Sequence, residues 1–292
     1  MPFNLDMQPE PTQLEALEQA LWEHGALAIT LLDAADQPLL EPGPGELPLW
    51  DRITVRALLA DDCDAAAVLD DLRARRLIEA GPDRAPKPLP ERDWERAWLD
   101  QFKPMRFGDS IWICPSNCQP EPDWPVVVRL DPGLAFGTGT HPTTAMCLEW
   151  LDARDCAGRA LIDYGCGSGV LAVAGALKGA RPVIAVDHDP QALTATADNA
   201  RRNGVETVIR TALPETMDDT AADLLLANIL AGPLVELAAC LAERLKPGGE
   251  LVLSGLLIEQ ADAVEAAYRA QGLRPVDRRQ REGWCALALE RA

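Results

Sequence analysis

Apolar residues change their rhythm along this chain, and each change predicts a different element. Phe3, Leu5 and Met7 alternate with polar neighbours, the period of a half-buried strand. Leu14, Leu17 and Leu21 recur at helical spacing, which predicts a helix from Gln13 to Glu23. Leu27 to Leu32 reads as a strand, a proline-rich turn follows, and Ile53 to Leu59 reads as a strand again. Asp64 to Arg75 is expected to be a helix with Ala67, Leu69 and Leu72 inward, and Leu77 to Ala80 a last strand. Strand, helix, strand twice over is the order of a small ferredoxin-like α+β domain, here residues 1–80. Pro82, Pro86, Pro88 and Pro90 close it. Residues 81–123 then read as a linker, structured in part, because Trp94 and Trp98 share one face of a connecting helix from Trp94 to Phe102.

From about Trp124 onward strands and helices alternate. Strands are expected at 160–164, 183–187, 207–211, 223–228, 250–255 and 285–290, with helices between them over Val170 to Leu177, Gln191 to Asn203 and Pro233 to Leu245. Lys246-Pro-Gly-Gly249 ends the last helix and turns the chain into the next strand. This order predicts an α/β fold over residues 124–292, a doubly wound sheet that is mostly parallel. At 292 residues, two domains are the natural expectation.

The first junction of that sheet carries specific chemistry. Ala160-Leu-Ile162 runs into Asp163-Tyr-Gly-Cys-Gly-Ser-Gly169 and then into an apolar helix, the strand, turn, helix order of a nucleotide-binding crevice. Glycine lets the backbone approach a ligand there, which marks Gly165 and Gly167 as cofactor-binding candidates. A dinucleotide fingerprint requires a glycine three residues after Gly167; position 170 is Val, which argues against a nicotinamide cofactor. The spacing instead resembles the first motif of Rossmann-like methyltransferases that bind S-adenosylmethionine. Asp187 closes the next strand, 22 residues beyond Gly165, where a carboxylate is placed to accept both ribose hydroxyls of a nucleoside. The alternative is that Asp187 caps the helix that follows.

Asn228 ends the fourth strand and leads into Ile229-Leu-Ala-Gly-Pro233. Methyl transfer to nitrogen needs a neutral amine with its lone pair free, and a carboxylate beside the amine would favour the ammonium. An amide carbonyl accepts the amine N–H with less stabilisation of the charge, so Asn228 is a candidate for orienting the acceptor, against the alternative of a helix cap. Upstream, Pro142 suits the first turn of a helix, and Thr143 and Thr144 beside it offer N–H groups and hydroxyls to a cofactor carboxylate. Gly133 to Gly139 reads as a loop from which Phe136 can cover the pocket. His141 is either a general base or a structural residue at the helix start, and His24 and His188 have no constellation around them.

Charge narrows the partners. With 27 basic and 46 acidic residues the net charge is −19, which does not offer the basic patch that nucleic-acid binding needs. Residues 1–50 hold nine Asp or Glu and no Lys or Arg, either a solubilising surface or a docking face for a cationic partner. The chain opens on no cationic, apolar leader, and no apolar stretch is long enough to span a bilayer, so no membrane is expected and the expected location is the cytoplasm. Eight scattered cysteines lack zinc-site spacing, Cys114 and Cys118 being the one tempting pair, and no metal is expected.

Taken together, Trp94-Glu-Arg-Ala-Trp98, Pro104-Met-Arg-Phe-Gly108, Ile111-Trp-Ile-Cys-Pro115, the Asp131 to Thr144 block, Asp163 to Gly169, Asn228 to Pro233 and Leu253-Ser-Gly-Leu256 resemble the bacterial ribosomal protein L-eleven methyltransferases, the PrmA family. The resemblance covers nearly the whole chain. It implies a Rossmann-like class I methyltransferase sheet that uses S-adenosylmethionine, with cofactor contacts on Thr144, Gly165, Asp187 and Asn228. It also implies methylation of lysine side chains and the terminal α-amine of one basic ribosomal protein of the large subunit, recognised by the N-terminal domain. A methyltransferase acting on a small molecule is the alternative; a nicotinamide oxidoreductase and a non-catalytic binding module are more remote readings.

Overall fold

The computed structural model describes residues 2–35, 37, 49–78, 86–88, 103–131 and 141–292. The chain divides into two compact units, residues 1–93 and 94–292.

In the first unit the order is β1 (Phe3–Met7), α1 (Leu14–Glu23), β2 (Ala28–Asp33), β3 (Ile53–Leu59), α2 (Ala65–Ala74) and β4 (Lys87–Pro88). The strands lie β2-β3-β1-β4, all antiparallel, which is the ferredoxin-like arrangement. Leu5, Met7, Val55, Ala57 and Leu59 form one buried face under Leu17 and Leu21 of α1 and Val68, Leu69 and Leu72 of α2. Ala67, expected inward, is exposed, and Val68 takes its place. Leu77 and Ile78, expected to open a last strand running to Ala80, lie in a bend, and residues 79 and 80 are outside the described residues. Arg76 adopts φ +60 and turns the chain so that Leu77 donates its N–H back to Leu72 and packs into the core. Lys87–Pro88 pairs with β1 instead, its ammonium 2.9 Å from Asp6. The Arg56 hydrogen bond chiefly, with Lys87, holds the Asp6 carboxyl at about 2, so part of the acidic excess is matched internally. The connecting helix expected from Trp94 to Phe102 lies outside the described residues.

The second unit opens with a three-stranded sheet of β5 (Met105–Phe107), β6 (Ile111–Cys114) and β7 (Val126–Arg129). Part of the stretch expected as linker is therefore folded structure, with Phe107, Ile111 and Ile113 in the main core. The larger sheet contains β8 (Leu161–Tyr164), β9 (Val183–Val186), β10 (Ile209–Ala212), β11 (Ala222–Asn228), β12 (Leu245–Leu257), β13 (Leu273–Arg281) and β14 (Trp284–Arg291). Its order is β10-β9-β8-β11-β12-β14-β13, parallel from β10 to β12, with β14 antiparallel to both its neighbours. The helices are α3 (Pro142–Asp152), α4 (Val170–Leu177), α5 (Pro190–Arg202), α6 (Ala231–Glu236), α7 (Ala238–Glu243) and α8 (Ala261–Arg269). Leu224 and Leu226 of β11 enter one core while Leu225 and Ala227 enter the other, so this strand is buried on both faces.

Two expectations change here. The helix from Pro233 to Leu245 is two short helices meeting at Leu237, and β12 already begins at Leu245, so Lys246-Pro-Gly-Gly249 lies within the strand's irregular start. The edge strand β13 carries Arg274, Asp277, Arg278, Arg279 and Arg281, charges that blunt an edge and mask the alternation a strand usually shows.

Asp152, at the end of α3, joins the small sheet to the large unit. It accepts the backbone N–H of Asp109 at 2.6 Å and of Ser110 at 3.1 Å, together with the Ser110 hydroxyl, and faces Lys178 at 3.9 Å. Burial opposes its ionisation, yet the Ser110 and Asp109 hydrogen bonds and the Lys178 charge outweigh it and hold the carboxyl below its usual value. The stabilisation is therefore present above the ordinary carboxylate pKa and is lost as pH falls through the lowered folded value. Asp152→Ala is expected to cost about 2 kcal/mol at pH 7, because it removes a largely buried carboxylate that accepts three hydrogen bonds, and the gap from the parent should narrow toward pH 3 in denaturant titrations.

Candidate active site

Strands β8 and β11 are neighbours from which the sheet winds in opposite directions, which places a topological switch point at their carboxyl ends. There a cavity opens, lined by Thr144, Gly165, Cys166, Gly167, Val170, Leu171, Asp187, His188, Asn228 and Ile229. All the expected site residues, Thr144, Gly165, Gly167, Asp187 and Asn228, face this one space.

The turn after β8 is bound to the end of β9. Gly165 and Cys166 both donate their N–H to the Val186 carbonyl, at 2.7 and 2.9 Å, and Gly167 donates to Asp187 Oδ2 at 2.9 Å. Asp187 does not cap the next helix. Its Oδ1 accepts the Asp189 N–H at 3.0 Å, and Asp189 caps α5 through the Gln191 N–H. Each Asp187 oxygen keeps a further lone pair for a ligand hydroxyl. At Gly165 the φ of +77 and the position of Ile229, whose Cγ2 would lie 2.1 Å from any Cβ, both require glycine.

Opposite the turn, Asn228 donates its Nδ2–H to Thr144 Oγ1 at 3.2 Å. Its Oδ1 is buried and finds no partner among the described residues. Asn228 does not cap α6 either, since that helix starts from Leu230 with no side-chain cap. A fully buried Thr144 thus fixes the amide so that its acceptor oxygen remains for a ligand. His141 is the N-cap of α3: its Nδ1 lies 2.7 Å from Thr143 Oγ1, and its ring stands edge-on to Trp284. Burial lowers its pKa, with the Glu282 charge opposing. His188 lies 3.5 Å from Asp187 Oδ1, and His24 pairs with Asp71 at 2.7 Å in the first unit, so both have constellations the sequence did not show. Cys166, Val170, Leu171 and Ile229 also escaped the sequence reading, although each adjoins a residue within the motifs. Phe136 and the loop from Gly133 to Gly139 lie outside the described residues. Among the described residues no group of three His, Cys, Asp or Glu side chains is placed to hold a metal.

The donor and acceptor set suits a nucleoside that carries hydroxyls and an amine. The family model for ribosomal protein L11 methyltransferase (PrmA) matches residues 2–292. The chain belongs to that family. It is 51% identical over 274 residues to the ribosomal protein L11 methyltransferase of Methylococcus capsulatus, covering 94% of each chain. It is 48% identical over 297 residues to that of Marinobacter nauticus, covering 100% of this chain and 99% of the relative. The crystal structure of a ribosomal protein L11 methylase from Lactobacillus delbrueckii subsp. bulgaricus superposes with a TM-score of 0.58 at 31% identity, covering 65% of this chain and 99% of that one. The enzyme is accordingly an S-adenosylmethionine-dependent methyltransferase with a Rossmann-like sheet.

Asp163 of β8, two residues before Gly165, is fully enclosed, with Oδ2 accepting the Ala172 N–H at 2.9 Å and Oδ1 without a partner among the described residues. Burial pushes its carboxyl up to about 7; the Ala172 N–H opposes this and the Asp187 charge adds to it. A folded pKa above the unfolded one means that the native state holds the proton more tightly, so this group's contribution falls as pH rises from about 4 to about 7. Asp163→Asn, which keeps an acceptor for Ala172, is expected to gain about 2–4 kcal/mol of stability relative to the parent between pH 4 and pH 8. Thermal or denaturant unfolding measured at both pH values checks this, and a gain independent of pH would refute it.

Proposed function

We propose that the cavity between the β8 turn and Asn228 binds S-adenosylmethionine and that the enzyme methylates amines of ribosomal protein L11, on lysine side chains and the terminal α-amine. The buried, unpartnered Asn228 Oδ1 in the same cavity as Asp187 carries this reading. When bound, the cofactor supplies an electrophilic methyl group on its sulfonium. Asp187 accepts ribose hydroxyls, the glycine turn admits the ligand against the backbone, and Thr144 holds the Asn228 amide in register. Asn228 Oδ1 accepts an N–H of the incoming amine and so aims its lone pair; as an uncharged acceptor it does not favour the ammonium as a carboxylate would. The first unit, whose residues 1–50 hold nine acids and no Lys or Arg, is the recognition surface for this cationic partner. The reading needs no direct nucleic-acid contact. It places the enzyme in the cytoplasm with its substrate; among the described residues no helix is long and apolar enough to cross a membrane.

Incubation with labelled S-adenosylmethionine and unmethylated ribosomal protein L11 should label that protein on amines; absence of label would overturn the reading. Asp187→Ala removes charge-assisted hydrogen bonds worth about 1.5–3 kcal/mol each, so calorimetry should show cofactor binding weakened by about tenfold or more. Unchanged affinity in the folded variant would remove Asp187 from the site. Asn228→Asp should slow transfer at neutral pH more than it weakens cofactor binding and should raise the apparent pKa of the rate, since the new carboxylate stabilises the protonated amine. A pH profile that overlays the parent's would exclude the orienting role.

A further inference from the structure

Ile229, the residue after Asn228, is enclosed by two glycines, one in the turn after β8 and one in β12. On one side its Cγ2 fills the space a Cβ would take at Gly165, 2.1 Å from that position. On the other, Gly255 of β12 presses against its backbone: a Cβ at Gly255 would lie 2.3 Å from the Ile229 carbonyl oxygen, 2.8 Å from its carbon and 3.1 Å from its nitrogen. The second contact has a visible origin. Asn228 and Ser254 pair in the parallel register of β11 and β12, and just beyond them β12 bulges against β14, with Leu253 opposite Leu287 but Leu256 already opposite Cys285. Ser254 is fully buried and donates its hydroxyl to the Cys285 carbonyl at 3.3 Å, which pins the bulge, and Gly255 follows at φ +87. A side chain there would have to displace backbone, which cannot give way as a flexible side-chain tip does.

We infer that Gly255 is a positioning residue for methyl transfer, acting through the Ile229 peptide to set where Asn228 presents its acceptor oxygen. The inference rests on the amine-orienting reading of Asn228. Gly255 lies outside the cofactor cavity's lining, so its effect should fall on turnover rather than on cofactor affinity. Misplacement of a reacting group by a fraction of an ångström to an ångström is enough to cost one to two orders of magnitude in rate.

The same strand provides the control. Gly248 of β12 has φ +72 but nothing within 4 Å of a Cβ, so Gly248→Ala carries the left-handed backbone strain without the contact. In full-length protein, both Gly255→Ala and Gly248→Ala should lose stability. Only Gly255→Ala should lose kcat for ribosomal protein L11 by about tenfold or more while its Kd for S-adenosylmethionine stays within about twofold of the parent. A second pair probes the other side and stands even if Gly255→Ala does not fold. Ile229→Leu keeps the volume but loses the β-branch whose Cγ2 is seated against Gly165, and should lose more kcat than Ile229→Val, which keeps it, the loss of kcat in Ile229→Leu exceeding any change in its cofactor affinity. Equal turnover in Gly255→Ala and Gly248→Ala, or in the two Ile229 variants, overturns the inference, as does a loss of cofactor binding that matches the loss of kcat. Failure of the parent and Gly248→Ala to methylate ribosomal protein L11 at all would instead overturn the function on which it rests.

Discussion

The site depends on one strand end holding another. The Val186 carbonyl takes two N–H groups from the turn after β8 and Asp187 takes a third, so three successive amides, those of Gly165, Cys166 and Gly167, are bound by the end of β9. Without these acceptors the buried donors of the turn would be unsatisfied, at about 1–3 kcal/mol each, and the loop would have no reason to keep its tight form. Asp187 is thereby both part of the scaffold and part of the cavity wall. Its hydrogen bond to Gly167 is paired between strands that are themselves in register, with Asp163 opposite Ala185 and Tyr164 opposite Val186.

Around this junction each buried polar side chain has its own backbone or side-chain donor or acceptor. Asp187, in the cavity lining, is held by backbone donors; Asp163 is enclosed and its burial raises its pKa; Asn228 donates its amide N–H to Thr144. Further from the cavity, Glu250 of β12 joins Arg154, just past α3, to Arg159, just before β8, at 2.8 and 3.1 Å, and Arg154 lies over the Trp150 ring. That cluster and the Asp152 contacts anchor α3 at its carboxyl end while His141 caps its amino end beside the site. The helix that carries Thr144 is thus fixed at both termini, which lets a single hydroxyl set the orientation of an amide from another strand.

Legibility in the sequence followed the length and regularity of the local signal. Five inner strands and the turn between β8 and α4 were readable because continuous apolar runs bounded by glycine and acid leave few alternatives. β13 was not, since its alternating arginines answer to solvent at a sheet edge rather than to a core. The fourth strand of the first unit was misplaced because Leu77 and Ile78 are apolar for core packing, not for pairing, once Arg76 has turned the chain. Ala67 and Val68 exchanged roles because a short helix shows too few turns for its phase to be fixed from three apolar residues.

Residue types at the ends of strands, determined by the sequence alone, identified the cofactor class and the family, because glycine spacing and an acid at a fixed remove are constraints on a single segment. What only the folded chain decided was who faces whom. Asn228 and Thr144 are 84 positions apart, and Gly255 meets Ile229 through a bulge set by β14. Local preference cannot encode such meetings: Asn228 carries the same cap propensity whether or not Thr144 takes its amide, and a glycine after serine looks like any turn. Their roles arise when parallel pairing puts the ends of β8, β11 and β12 side by side and leaves no room there for another side chain.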